Sequence, residues 1–310
     1  MPLAFVFPGQ GSQSVGMMGG FAAHPVVRET FAEASAALGE DLWALVENGP
    51  AEALALTTNT QPVMLTAGVA AWRAWLAEGG PRPVVVAGHS LGEYTALVAA
   101  GALAFRDAVP LVRFRAQAMQ DAVPPGIGAM AAVMGGEDGD VVSACAEAAQ
   151  DQVVEAVNFN APGQLVIAGH REAVERAIGI AKQKGAKRGV LLPVSAPFHC
   201  TLLRPAAEAL ARRLRDVPVS APSIPVLHNV DVSTHDMPDA IREALACQAA
   251  SPVHWTATMR AMAAQGITHI VECGPGKVLS GLAKRSADNI RTYALTDSDA
   301  VRAAVAEIRA

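Results

Sequence analysis

The sequence predicts an α/β protein built on a parallel sheet, and three observations carry that prediction. Apolar runs such as "LAFVF" (Leu3–Phe7), "PVVVAG" (Pro83–Gly88) and "THIVECG" (Thr268–Gly274) are continuous rather than alternating, as strands covered on both faces are. Helical patterns separate those runs. The composition is 51% hydrophobic but only 5% aromatic, which suits Ala-, Val- and Leu-rich helices packed on a sheet.

Taken in order, the first strand stops at "PGQGSQ", where Pro8, Gly9 and Gly11 force a tight loop. Helical periodicity follows over about Pro25–Leu38 and Gln61–Glu78. "PVVVAG" then feeds a helix over about Leu91–Ala100, closed by Gly101. A further helix covers Phe105–Ala122 and contains Pro110, a residue expected only near a first turn. "VPPG" breaks the chain at Val123–Gly126, and the rhythm changes. Strand "AMAAVM", helix "EDGDVVSACAEAAQ", strands "VVEAVNFN" and "QLVIAG", helix "REAVERAIGIAKQKG" and strand "RGVLLPV" give the order βαββαβ, a ferredoxin-like unit. Residues 127–194 are therefore expected to form an inserted subdomain within a discontinuous core of residues 1–126 and 195–310. Helices at about Leu202–Arg215, Pro238–Ala246 and Trp255–Gln265 follow, with strands at "IPVLHN" and "THIVECG". "GPG" at Gly274–Gly276 opens a final turn and helix.

The 310 residues carry a formal net charge of −5, which speaks against nucleic-acid binding. No eighteen-residue stretch is free of polar groups, so no membrane span is expected. The start, "MPLAFVFPGQG", has neither a basic leader nor a small-residue cleavage site. The cysteines Cys145, Cys200, Cys247 and Cys273 lack metal or disulfide spacing. A reducing, cytoplasmic setting is the expectation.

"GHSLG" (Gly88–Gly92) places Ser90 where an apolar strand turns into a helix. A five-residue pattern with two free positions arises by chance. Strand, sharp turn and helix are nonetheless the setting in which G-x-S-x-G presents a nucleophile. The N–H of Leu91 would then sit at a helix N-terminus as an oxyanion donor, with Gln10 of the glycine-rich loop as candidate second donor. Of the histidines, His199 in "VSAPFHC" is one candidate base, where the chain re-enters the core. The hydrolase order of serine, acid and histidine would instead pair Asp231 with His254 or His269. Arg115 is flanked at i−4, i−3, i+3 and i+4 by Leu111, Val112, Ala118 and Met119, so it projects from the apolar face of its helix. A buried guanidinium calls for a carboxylate, supplied either by the protein or by a substrate.

Together these residues resemble the malonyl-CoA:acyl carrier protein transacylases of fatty acid synthesis and the acyltransferase domains of polyketide synthases. The matching segments are "FVFPGQGSQ", "TNTQPVM", "GHSLGEYTAL", "RFRAQAMQ", "VNFNAPGQLVIAG", "PVSAPFH", "SPVHW" and "ECGPGKVLSGL", in the family's order. The short chain is more similar to the discrete bacterial enzyme. The resemblance implies an α/β-hydrolase-like core, Ser90 as the acylated nucleophile and His199 as its base. It implies an oxyanion hole from Gln10 and Leu91, a malonyl clamp at Arg115, and a backbone carbonyl at Gln248 that orients His199. It also implies substrate contacts from Gln61, Met119, Asn158 and Phe198, with no metal or cofactor needed and a monomeric state. The partners it implies are malonyl-CoA and holo acyl carrier protein. Basic candidates for carrier docking are Lys284–Arg285 and the stretch Lys182–Arg188. The rival readings are a serine hydrolase, a non-catalytic docking module, and a related transacylase of polyketide synthesis or malonate decarboxylation.

Overall fold

The computed structural model describes residues 2–310. Its strands are β1 (Leu3–Phe7), β2 (Val85–Gly88), β3 (Gly128–Met134), β4 (Val154–Ala161), β5 (Gln164–His170), β6 (Arg188–Leu191), β7 (Val226–Leu227), β8 (His269–Cys273) and β9 (Arg291–Leu295). They form two sheets. One is parallel, in the order β7-β2-β1-β8-β9, and the other antiparallel, in the order β4-β5-β3-β6.

The continuous apolar runs become the centre of the parallel sheet. Every residue of β1, β2 and β8 is buried, so both faces are covered. Helix Thr57–Ala77 packs beside them and is itself buried along nearly its whole length. Phe5 meets the edges of Trp72 and Trp75 at 5.2 and 5.1 Å between ring centroids, a favoured aromatic geometry.

The antiparallel sheet alternates, as period-two side chains must. Ala129, Ala131 and Val133 of β3, with Leu165 and Ile167 of β5, join a core with helices Asp138–Ala149 and Arg171–Gln183. Met130, Val166 and Ala168 point the other way, into the core shared with the large sheet. Strand β4 is tied to the large half by its backbone. Val253 N–H donates to Val157 O at 2.8 Å, and Phe159 N–H donates to Val253 O at 3.0 Å. The pairing register of β4 slips at Ala156/Asn158, where the polar side chain of Asn158 becomes buried.

The elements differ from the expected pattern in four places. Helices Leu42–Asn48 and Ala51–Ala55 fall in a stretch with no expected element. Past "GPG" the chain forms not one helix but helix Val278–Ser286, strand β9 and helix Ser298–Arg309. Strand "IPVLHN" pairs only over Val226–Leu227. Finally, helix Thr57–Ala77 starts ahead of the expected Gln61, so that Pro62 lies inside it, as Pro110 lies inside helix Phe105–Asp121, each deeper than its missing N–H favours. Both helices bury long apolar faces, and that tertiary burial outweighs one lost backbone bond.

Candidate active site

Strands β1 and β2 end side by side, with Phe7 opposite Gly88. Their loops therefore meet at the carboxyl edge of the parallel sheet, the usual place for ligands in such sheets. After β2 the chain turns so sharply that Ser90 takes φ 53°, in the left-handed region. A non-glycine residue there costs on the order of 1–3 kcal/mol and persists only where its surroundings hold it. The turn is also crowded. A Cβ added at Gly92 would lie 2.0 Å from Phe7 O, so only glycine lets helix Gly92–Ala99 start against β1. A Cβ added at Gly9 would lie 2.5 Å from His89 O, which measures how closely the Gln10 loop approaches the turn.

Ser90 Oγ lies 2.7 Å from His199 Nε2, across 109 residues of sequence. His199 is itself in the left-handed region, at φ 67°, and is buried. Its Nδ1 lies 2.8 Å from the backbone carbonyl of Gln248. A carbonyl only accepts, so Nδ1 carries the proton and Nε2 presents its lone pair to the serine. Burial, and then the positive charge of Arg115, push the His199 imidazole down to about 3. The ring is thus neutral at ordinary pH, as a base must be. The N–H groups of Ser90, Gly92 and Glu93 are taken by Asn229 Oδ1, His89 O and Ser90 O. That leaves the N–H of Leu91, the N-cap of the following helix, open at the turn.

Arg115 is 1% exposed. Its Nη1 donates to Gln61 Oε1 at 2.9 Å, and its Nη2 donates to Gln248 Oε1 at 2.8 Å and to Ser90 Oγ at 3.2 Å. None of these partners is a carboxylate, so the option of an ion pair within the protein is not realised. Its Nε has no partner. Tyr94 supplies one more contact, its ring centroid 5.3 Å from the guanidinium carbon. Burial draws Arg115 below its ordinary value, yet a guanidinium stays charged. The result is a buried cation held by neutral amides, with spare donors beside a serine hydroxyl.

These groups open into a cavity of about 580 Å³ lying between the two sheets. Gln10, Gln61, Ser90, Leu91, Arg115, Met119, Asn158, Phe198 and His199 all line it. Met130, Val166 and Leu192 of the antiparallel half add an apolar wall. Gln61 Nε2 is 3.8 Å from Met119 Sδ, and Gln10 Nε2 donates to Thr57 Oγ1 at 3.2 Å. A larger, shallower groove of about 960 Å³, bordered by Glu29, Glu78 and Asp299, contains none of the candidate residues.

The alternative triads are not assembled. Asp231 pairs with His235 at 2.8 Å, His254 stacks on Phe159, and His269 bonds Thr268 Oγ1. His89, adjacent to the serine, turns away to Asn160 Oδ1 at 2.8 Å. Lys284 and Arg285 are exposed near the end of helix Val278–Ser286, whose Val278, Leu279 and Leu282 border the cavity. Arg285 bonds Gln164 of the antiparallel half. The stretch Lys182–Arg188 lies outside the cavity lining. Sequence reasoning missed Glu93, Asn160 and Asn229. Glu93 and Asn160 lie in the matching segments "GHSLGEYTAL" and "VNFNAPGQLVIAG" and so were open to notice. Asn229 follows an apolar strand and gave no signal of its own.

Comparison with known proteins places this arrangement. Residues 4–306 match the acyl transferase domain family. The chain is 57% identical over 303 residues to the malonyl CoA-acyl carrier protein transacylase of Escherichia coli (strain K12), covering 97% of this chain and 98% of that protein. An acyl-carrier-protein S-malonyltransferase from Burkholderia pseudomallei superposes with a TM-score of 0.97 at 58% identity, covering 99% of this chain and all of that one. A malonyl-transacylase solved with its type II polyketide acyl carrier protein superposes with a TM-score of 0.98 at 49% identity, again over 99% and 100% of the two chains.

Proposed function

The chain belongs to the acyl transferase domain family, and from that premise we propose that it moves a malonyl group from malonyl-CoA to the phosphopantetheine thiol of acyl carrier protein, supplying fatty acid synthesis. The observation that carries this reading is Arg115: a buried cation, unpaired with any carboxylate in contact, 3.2 Å from the candidate nucleophile. The guanidinium can take a ligand carboxylate through two charge-assisted bonds. An acyl group held there has its free acid at Arg115 and its thioester at Ser90.

The cycle follows from the groups present. Ser90 Oγ attacks the thioester carbon as His199 Nε2 takes its proton. The N–H groups of Leu91 and Gln10 receive the developing oxyanion, in the field of the helix N-terminus. The carbon–sulfur bond breaks, and His199 returns the proton to the leaving thiolate of coenzyme A. A malonyl-serine ester remains. The carrier's thiol then enters, loses its proton to His199, and attacks the ester; Ser90 leaves reprotonated. The acyl group thus passes between thiols by two covalent steps, with ping-pong kinetics. Gln61 and Met119 set the clamp's position, while Asn158 and Phe198 border the acyl group. Lys284 and Arg285, exposed on the helix whose Val278, Leu279 and Leu282 border the cavity, are the basic residues that meet the carrier.

The finer architecture fits this reading. The all-parallel order of the large sheet supports an α/β-hydrolase-like core over residues 1–126 and 195–310. The order β4-β5-β3-β6 supports a ferredoxin-like subdomain over 127–194. The setting we propose is the cytoplasm; among the described residues no helix is long and apolar enough to cross a membrane.

The test is intact-mass spectrometry. Addition of malonyl-CoA should produce a malonyl adduct, and holo carrier protein should then remove it and gain the same mass. Release of free malonate in place of transfer would convert the reading to a hydrolase.

A further inference from the structure

Behind the nucleophile lies a carboxylate that this cycle does not use. Glu93 stands in the first turn of helix Gly92–Ala99 and is fully buried. Its Oε1 accepts from His228 Nδ1 at 2.8 Å. Its Oε2 accepts from the backbone N–H of Asn229 and from Gln248 Nε2, each at 2.9 Å. An ionised carboxylate only accepts, so it dictates that all three groups present a hydrogen to it.

Two of those groups lead directly into the site. Gln248 Nε2 also donates to Ser90 O at 2.9 Å. With its NH2 end fixed by two acceptors, the amide must turn its oxygen to Arg115 Nη2. Asn229 spans the turn itself: Oδ1 takes the Ser90 N–H at 2.7 Å, and Nδ2 donates to Gly88 O at 2.7 Å. The strained φ of Ser90 is therefore held from both sides by a residue whose own backbone is anchored on Glu93.

The placing of the charge is also informative. Glu93 acts on Arg115 through its field and not by contact. Gln248 stands between them, so the guanidinium is aimed by an amide and no carboxylate of the protein occupies its contact positions. A cation paired directly with an internal carboxylate would have to break that pair to take a ligand.

We propose that Glu93 is a positioning residue: through Gln248 it aims Arg115, and through Asn229 it holds the Ser90 turn, touching neither acyl group nor carrier. The Arg115 half of this proposal rests on the carboxylate-clamp reading given above. A purely structural role for the Glu93–His228 pair predicts something different, namely equal losses on every acyl donor.

The test compares malonyl-CoA with acetyl-CoA, using kcat/KM for transfer to holo carrier protein on variants whose folding is checked by melting. Glu93→Ala frees Gln248, so the malonyl-to-acetyl ratio should fall about tenfold or more, the scale for a hydrogen bond to a charged group. Glu93→Gln keeps an acceptor for Asn229 and Gln248 while His228 changes tautomer, and should hold the ratio within about twofold. Gln248→Leu should lower the ratio like Glu93→Ala, and the double variant should lower it no further. Asn229→Ala should slow both donors together. An unchanged ratio in folded Glu93→Ala, or in Gln248→Leu whether or not Glu93→Ala folds, overturns the proposal. Arg115→Ala separates the two levels. If that variant loses malonyl preference while Glu93→Ala keeps it, the clamp stands and the Glu93 role falls. If Arg115→Ala keeps malonyl preference, the clamp itself falls.

Discussion

The two halves that enclose the cavity contribute to it in different ways. The parallel half supplies Ser90, His199 and Arg115, the first two at strained backbone positions and the third a buried charge, each tied by more than one bond. The antiparallel half supplies Met130 and Val166 from regularly paired strands, their side chains turned to the cavity by alternation, and Asn158 from the slip in β4. Chemistry needs angles and distances held to fractions of an ångström, and a dense network anchored on a buried sheet provides them. Shape needs only volume, and apolar side chains on a sheet provide that with less constraint. Variants on the first side should therefore change whether reaction occurs, and variants at the boundary should change what reacts.

The largest effect expected is at Ser90. Ser90→Ala should abolish the malonyl adduct seen by intact mass while leaving the melting temperature close to that of the parent. An adduct of unchanged yield would remove Ser90 from the chemistry and the comparison with it. Next is Arg115→Ala. Two charge-assisted bonds of roughly 1.5–3 kcal/mol each predict a loss in kcat/KM for malonyl-CoA of about 10²–10⁴-fold. Acetyl-CoA transfer should change little, and Arg115→Lys should recover only part of the loss, because an ammonium lacks the planar fork.

Phe198 stands where the halves meet, immediately before His199, and its ring borders the cavity. Phe198→Ser should admit methylmalonyl-CoA relative to malonyl-CoA by about 1–3 kcal/mol, the scale of one methyl in an apolar pocket. An unchanged ratio of the two kcat/KM values would move shape selection to Met130, Val166 and Leu192. The smallest expected change is a flat line. Because the His199 imidazole is pushed down to about 3, kcat/KM for malonyl-CoA should show no loss centred near 6.5 as pH falls to 5. Stability should not be flat. The unfolded histidine gains its proton near 6.5 and the folded one only near 3. The contribution of neutral His199 is therefore full above 6.5 and lost progressively as pH falls through that window. A rate that drops with a midpoint at 6.5 would mean that His199 is far better solvated than its burial implies.

How much of this the sequence disclosed depended on whether the signal was local. Ser90 was legible because strand, glycines and helix are adjacent in the chain. Arg115 was legible because its four helical neighbours are apolar, and three of them, Leu111, Val112 and Met119, are buried. His199 was not singled out by its own surroundings; eight histidines offered similar contexts, and resemblance to a family chose among them. The side chain of Gln248 was invisible, since its partners at Ser90 and Arg115 lie 158 and 133 residues away. Asn229 was invisible for the same reason. Among the elements, β9 and helix Ser298–Arg309 went unread because a short edge strand such as "RTYAL" is only partly buried and so lacks the continuous apolar run of its neighbours. Pro110 did not hide its helix, which was legible over Phe105–Ala122 and runs Phe105–Asp121: the proline has a local cost, and tertiary burial overrides it.

The distances along the chain also set a clock. On the proposed cycle, Ser90 depends on Asn229 to hold its turn and on Gln248 to orient its base. At a synthesis rate of roughly 5–20 residues per second, Gln248 is made some 8–30 s after Ser90. Through that interval a nascent chain carries its serine with no oriented histidine beside it. On the same reading, such a fragment presents Ser90 to a thioester only as an ordinary hydroxyl. Reactivity arrives only when the last of the three distant segments docks, so a truncated or stalled product is chemically silent.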